Sequence, residues 1–185
     1  MFIEIEKVLV DFPKVQINGS CTILRQEDPD KQLVIRTRPF VFDFLENMAK
    51  LFDIFIFTRL PQNVARPILE HLDPTSQLIQ GLFCSEYCYT NDQGILVKDL
   101  RIFKNLPLLQ TVLIDDEPWS FCYQLSNGIP LIQWDPSEPY IDSELLHIQA
   151  YLEALSAQKD VAKFNRYNLK LHKIGEASLE SLMIS

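Results

Sequence analysis

Two short apolar runs, each cut off by residues able to do chemistry, constrain this chain most. Phe52–Phe57, apolar but for Asp53, stops at Thr58, and Thr111–Ile114 stops at Asp115-Asp116. Runs of this length are short for buried helices and match strands covered on both faces of a sheet. Helical periods lie between them. Arg38-Pro39 opens one, proline suiting a first helical turn, with Phe40, Phe44, Leu45 and Met48 on one face. Gln62–Leu72 carries Val64, Ile68 and Leu72 at four-residue spacing and ends at Asp73-Pro74. Its internal Pro67 is expected to kink it or to mark a new first turn. Ile141–Leu155 turns Leu145, Ile148, Leu152 and Leu155 inward. Strand, helix, strand, helix is the order that builds a parallel sheet with helices on both faces, an α/β fold.

The remaining punctuation fills in that outline. Met1–Ile5 reads as an opening strand, and Val15–Leu24 as a hairpin about the Asn18-Gly19 turn signal. Leu33–Thr37 reads as a further strand. Gly81–Val97 reads as short strands about the turn Asn91-Asp92-Gln93-Gly94, and Ile129–Ile132 as an apolar run after Asn127-Gly128. With 185 residues the chain is most simply one domain, expected over 1–165, with 166–185 as a C-terminal extension that forms an interaction helix or a frayed end.

Composition removes several function classes. Hydrophobic residues at 47% and charged residues at 23% allow a packed core without a disulfide or metal staple. The net charge of −8 argues against a direct binder of nucleic acid, which needs a basic stripe. Cys21, Cys84, Cys88 and Cys122 form no CxxC, and His71, His147 and His172 are scattered, so the spacing does not describe a zinc site. No apolar run approaches the ~20 residues that span a bilayer, so no transmembrane segment is expected. The first residues lack the pattern of a signal or transit peptide. The chain is expected to be cytosolic or nuclear, or a trimmed form of a longer precursor.

In parallel sheets, ligand chemistry sits beyond the carboxyl ends of the strands. Thr58, the pair Asp115 and Asp116, Glu4 or Glu6 after the first strand, Asp11 a little later, and Lys98 after the hairpin all fall at such ends. Carboxylates hold a hard cation, while hydroxyl and ammonium groups hold phosphate oxygens, the needs of magnesium-assisted phosphoryl transfer. Any one of these residues alone is an ordinary solvated polar at a strand end. The ordered set carries the reading.

The successive motifs Arg38-Pro39, Phe55-Ile56-Phe57-Thr58, Leu72-Asp73-Pro74, Val97-Lys98-Asp99-Leu100, Ile114-Asp115-Asp116-Glu117-Pro118-Trp119-Ser120-Phe121 and Asn127-Gly128-Ile129-Pro130 resemble one family across about residues 2–165. It is the small C-terminal-domain phosphatase-like (NLI-interacting-factor-like) domain of the haloacid dehalogenase superfamily. The resemblance implies a three-layer, Rossmann-type parallel sheet with a small β-hairpin insertion. It implies that Thr58 binds a phosphoryl oxygen, that Lys98 neutralises charge on phosphate and nucleophile, and that Asp115 and Asp116 lie near a magnesium ion. The family's first motif is Asp-x-Asp-x-Thr/Val, its first aspartate the nucleophile and its second the general acid and base. This chain departs from it. One register sets Glu4-Ile5-Glu6-Lys7-Val8-Leu9-Val10 on the motif, with both aspartates lengthened to glutamates. The other uses Asp11-Phe12-Pro13-Lys14-Val15 and replaces the acid with Pro13, which transfers no proton. A catalytic group misplaced by ~1 Å can cost ~100-fold in rate, and a lost general acid about 10²–10⁴-fold. Either register predicts a crippled phosphatase, a pseudoenzyme that holds magnesium weakly or not at all.

The degenerate motif, the short stretch before Arg38, the pair Trp134-Asp135 and the segment Asp142–Leu155 with Asp160-Val161 are similar to one branch, the receptor subunit of the mitochondrial presequence translocase. That resemblance implies a mitochondrial location and partners that are basic presequence-like peptides or other subunits of a mitochondrial complex, which an acidic surface would attract. Trp134, Asp135 and Trp119 are its interface candidates. Two alternatives stay open. One is an active magnesium-dependent serine/threonine phosphatase in the cytoplasm or nucleus. The other is a purely structural subunit whose exposed aromatics, around Phe83, Tyr87, Tyr89 and Trp119, form an interface.

Overall fold

A computed structural model describes residues 1–13, 21–25, 32–92, 94–137 and 141–173. The apolar runs become the strands of a five-stranded, wholly parallel sheet. Its members are β1 (Phe2–Ile3), β5 (Ile54–Phe57), β6 (Ile79–Phe83), β9 (Leu113–Asp115) and β10 (Gly128–Pro130), in the spatial order β10-β9-β1-β5-β6. The opening strand is therefore central. Phe2 pairs with Phe55 on one side and Leu113 on the other, and Ile3 with Ile56 and Ile114. This register brings the residues that follow β1, β5 and β9 to one edge.

Alternation along these strands sorts the core into two faces. Ile3, Ile54, Ile56 and Ile114 point to an aliphatic side covered by α1 (Val41–Ala49), α2 (Gln62–Leu72), α3 (Glu144–Ser156) and α4 (Val161–Asn168). Phe2, Phe55, Phe57, Phe83 and Leu113 point to an aromatic side closed by Leu100, Phe103, Leu106 and Phe121. That second side carries short 3₁₀ turns at Leu100–Ile102, Leu108–Gln110 and Pro118–Gln124, to which the sequence alone assigns no element. Gly128 is fixed by this packing, since a Cβ there would lie 2.1 Å from the Phe121 ring.

Several local expectations are revised. Phe40 does not join the inward face of α1. Its backbone is left-handed (φ 65°) before the helix begins, its ring is exposed, and Val41 takes the buried position with Phe44, Leu45 and Met48. Pro67 does not mark a new first turn but lies inside α2, which is assigned from Gln62 to Leu72 without a break. The hairpin about Asn18-Gly19 lies outside the described residues. Within them, β2 (Val10–Asp11), β3 (Thr22–Arg25) and β4 (Gln32–Thr37) form an antiparallel sheet in the order β2-β4-β3, and β7 (Tyr89–Thr90) and β8 (Leu96–Val97) form the small insertion. The helix α4 crosses the expected boundary at 165–166. Asp160 caps it through Lys163 N–H, and Asn165 is buried with an oxygen accepting from Tyr151 Oη at 2.7 Å. Residues 174–185 lie outside the described residues. No described helix is long and apolar enough to cross a membrane.

Candidate active site

The central strand β1 ends at Glu4, and the chain then reverses through a tight turn. Leu9 N–H and Val10 N–H both donate to Ile5 C=O, at 2.9 and 3.0 Å, with Lys7 left-handed at φ 61°. The turn lifts Asp11 onto β2 in the second sheet, where it pairs with Lys7. Glu4 stays behind at the strand end, 2% exposed. Of the two first-motif registers, the geometry thus gathers Glu4 with the other strand-end residues and places Asp11 elsewhere.

Thr58 follows β5, Lys98 follows β8 and Asp115 ends β9, and none of the three is exposed. Glu4 Oε1 accepts from Thr58 Oγ1 at 2.5 Å and from its own neighbour's N–H, Ile5, at 2.7 Å, with Glu6 N–H at 3.3 Å. Glu4 Oε2 accepts from Lys98 Nζ, which also reaches Asp115 Oδ2 at 2.5 Å. The other oxygen of Asp115 accepts from Glu117 N–H at 2.8 Å. One ammonium therefore serves two buried carboxylates.

Burial and charge act on each group in opposition. Burial works to raise Glu4, and the Lys98 charge with its hydrogen bond, Thr58 and Ile5 outweigh it and hold the carboxyl below its usual range. Burial and the Glu4 charge hold Asp115 above its usual range despite Lys98. Burial works to lower Lys98, but Glu4 and Asp115 keep it raised and charged. Asp116 is half-buried, and burial together with the Asp115 charge pushes it to about 6. Glu6 is exposed as a residue, yet partial desolvation of its carboxyl and the Glu4 charge raise it too. The thiol of Cys88, near Thr58 C=O, is pushed up by burial to about 11 and stays protonated at neutral pH.

The oxygens of Glu4, Asp115 and Asp116 have the chemistry a magnesium ion takes. However, Lys98 Nζ already bridges Glu4 and Asp115, filling the position of a cation shared between them. Among the described residues no three His, Cys, Asp or Glu side chains gather as a metal site. In this arrangement the residues do not fit a magnesium ion bridging Glu4 and Asp115.

The strand-end set legible in sequence is thus brought together as Glu4, Thr58, Lys98 and Asp115. Two further residues stand beside it that the sequence reading passed over. Arg59 donates to Glu117 Oε2 at 2.7 Å, a half-exposed ion pair linking the segments after β5 and β9. The signal for it lay in their positions, next to Thr58 and to Asp115-Asp116. The interface candidates divide. Trp119 is 70% exposed and Asp135 is exposed, but Trp134 is buried, its indole offering little surface to a partner, and its backbone N–H donates to Lys7 C=O. Tyr87 and Tyr89 are exposed, whereas Phe83 packs into the aromatic core.

Residues 2–162 match the family model described as NLI interacting factor-like phosphatase. CTD small phosphatase-like protein 2 of Dictyostelium discoideum is 33% identical over 143 residues, which cover 77% of this chain and 24% of the relative. CTD small phosphatase-like protein 3 of Caenorhabditis elegans is 36% identical over 141 residues, covering 76% and 48%. Carboxy-terminal domain RNA polymerase II polypeptide A small phosphatase 2 of Homo sapiens is 31% identical over 162 residues, covering 86% and 58%. The match therefore spans from about a quarter to somewhat over half of these curated relatives. The solved structure of Fcp1, an essential RNA polymerase II CTD phosphatase, superposes with a TM-score of 0.57 at 18% identity over 88% of this chain and 51% of that one. The fold is shared.

Proposed function

This chain belongs to the family of NLI interacting factor-like phosphatases, and from that premise we propose that it is a catalytically impaired phosphatase-like domain that acts by binding a protein partner. One observation carries the reading. The carboxylate at the end of the central strand, where the family resemblance expects the attacking aspartate, is Glu4, buried and hydrogen-bonded at both oxygens to Thr58, Ile5 and Lys98. A nucleophile needs a lone pair aimed at an incoming phosphorus atom. This one is sealed. The partner is a basic segment of another protein, for which a net charge of −8 supplies attraction. The finer form of the proposal is a subunit of a mitochondrial protein-import complex, and import of a fluorescent fusion into mitochondria tests that location.

A second reading has its own observation. Glu6 and Asp116 both have raised carboxyls near the sealed quartet, as a general acid requires. It makes the chain an active magnesium-dependent protein phosphatase. Hydrolysis of an aryl phosphate with magnesium decides between the two. The binding reading expects no turnover and no magnesium heat by calorimetry. Turnover abolished by Glu4→Gln or Asp11→Asn would overturn it.

A further inference from the structure

Charge is spread unevenly over this acidic chain. Residues 159–173 hold five basic side chains, Lys159, Lys163, Arg166, Lys170 and Lys173, against the single acid Asp160. That stretch is +4 in a chain of −8, so the rest carries −12. Asp160 is engaged in capping α4, where its carboxylate accepts from Lys163 N–H at 2.9 Å. Lys163, Arg166 and Tyr167 stand at i, i+3 and i+4, on the face of α4 opposite buried Val161 and Asn165. Lys159 precedes the helix, and Lys170 and Lys173 follow it. All five cations are exposed, and Tyr167 is 79% exposed. Among the described residues none of the five makes an ion pair or a side-chain hydrogen bond. Like charges so spaced repel one another, and the chain supplies no counter-charge. The stripe also lies at the pole opposite the strand-end site. α4 packs against the turn Leu108–Gln110 that leads into β9, and Val161 lines a cleft with Met1, Asp53 and Thr111, which lie just before β1, β5 and β9.

We propose that the exposed face of α4, with Lys159, Lys163, Arg166, Lys170 and Lys173 around Tyr167, docks the protein on an anionic lipid surface. Four of the five cations are lysines. Protein interfaces are depleted in lysine and favour arginine, whose planar fork meets a fixed carboxylate. Compact ammonium groups on flexible stems suit a surface of many exchangeable headgroups. A duplex binder commonly makes about six to ten phosphate contacts, more than this stripe offers beside a remainder of −12. A bilayer asks for less. Each basic residue near an anionic surface is worth roughly a fivefold gain in partitioning, and the field fades within a Debye length of about 8–10 Å, short of the acids at the opposite pole. Tyr167 adds an amphipathic ring of the kind that rests at headgroup level. Val161 and Asn165 keep α4 packed on the protein, so the contact is peripheral, without insertion. Docked in this way, the strand-end acids Glu6 and Asp116 face away from the lipid and stay open to a basic partner. The proposal goes beyond the functional reading and does not depend on it.

The full chain is sedimented with vesicles of phosphatidylcholine alone and of phosphatidylcholine mixed two to one with phosphatidylserine, at about 0.1 M salt. Binding is expected to the anionic vesicles only, and is expected to reverse at about 1 M salt, where the Debye length falls to about 3 Å. The double variant Lys163→Gln with Arg166→Gln is expected to lose at least about tenfold in partitioning. Arg66→Glu makes the same change in net charge on α2, which reaches α4 only by way of α1 and α3. It is expected to stay within about twofold of wild type. All three substituted positions are exposed, so the fold tolerates the changes. Three results overturn the proposal: no sedimentation with the anionic vesicles, equal losses in the two variants, or tighter capture of a polyglutamate peptide or duplex DNA than of those vesicles. Equal losses would mean that net charge, not this face, governs binding. The last result would assign the stripe to an acidic protein or a nucleic acid instead.

Discussion

Two buried ionic groups hold this molecule together, and they follow different rules. At Arg38, one guanidinium meets one carboxylate. Nε and Nη2 donate to the two oxygens of Asp142 at 2.8 Å each, and the remaining donors go to the carbonyls of Ile132 at 2.9 Å, Val8 at 3.3 Å and Lys7 at 3.4 Å. That clasp ties the turn after β1 to the segment after β10 and to the approach to α3, and it is neutral and saturated. At Lys98, one ammonium serves Glu4 and Asp115, with the raised carboxyls of Asp116 and Glu6 close by. A clasp that only holds elements together is built neutral, because each uncompensated buried charge costs several kcal/mol. Imbalance at Lys98 lies at the ends of parallel strands, where such sheets carry their ligand chemistry.

The comparison is broken most severely by removing its cations. Lys98→Met leaves Glu4 and Asp115 buried near each other with no counter-charge, and a loss at the upper end of about 3–5 kcal/mol is expected in urea unfolding at pH 7. Stranded carboxylates have raised folded-state pKa values, so their penalty is absent at low pH and appears as pH rises. The lost stability is therefore expected to return on acidification. Arg38→Met strands one carboxylate that keeps 14% exposure, so the loss falls at the lower end of that range, with less recovery in acid. Equal losses and equal recovery in the two variants would show that the charge imbalance at Lys98 has no energetic meaning. Thr58→Val, nearly isosteric, removes the donor to Glu4 Oε1 and the acceptor of Leu60 N–H, and is expected to cost about 1–3 kcal/mol.

How far each group was legible in sequence follows from the same contrast. Strand ends are read from short apolar runs, so Thr58, Lys98 and Asp115 could be placed at one edge before any coordinates. The helix faces were equally plain where periodicity ruled, as with Leu145, Ile148, Leu152 and Leu155 on α3. Phe40 went astray because its left-handed backbone is a local event that a periodic pattern does not register. Arg38–Asp142 joins residues 104 positions apart and has no local signal on the Asp142 side. Trp134 read as an interface residue because exposure is a property of packing, not of sequence. The choice between Glu4 and Asp11 stayed open for a similar reason. It turns on the tight reversal through Lys7, where the backbone hydrogen bonds decide which carboxylate stays at the strand end.

The finest difference between the two groups is the sign of their pH dependence. Asp116 titrates at about 6 in the folded chain against an ordinary 3.8, raised by burial and by the Asp115 charge. Between those values the folded protein holds a proton that the unfolded chain has released, so this group's contribution to stability falls as pH rises from 3.8 to about 6. Asp142 runs the other way. Burial would raise it, but the Arg38 guanidinium holds it below its ordinary value, so its contribution is in place at neutral pH and is lost on acidification below 3.8. Urea unfolding from pH 3 to pH 7, without divalent cations, separates them. Asp116→Asn is expected to flatten the decline between pH 4 and 6, by an amount on the order of 1 kcal/mol once solvent screening of a half-buried group is allowed for. Asp142→Asn is expected to leave that window unchanged and to reduce the loss below it. If Asp116→Asn follows the wild-type curve throughout, the charge imbalance ends at Asp115, and the edge beyond β9 is as electrostatically closed as the clasp at Arg38.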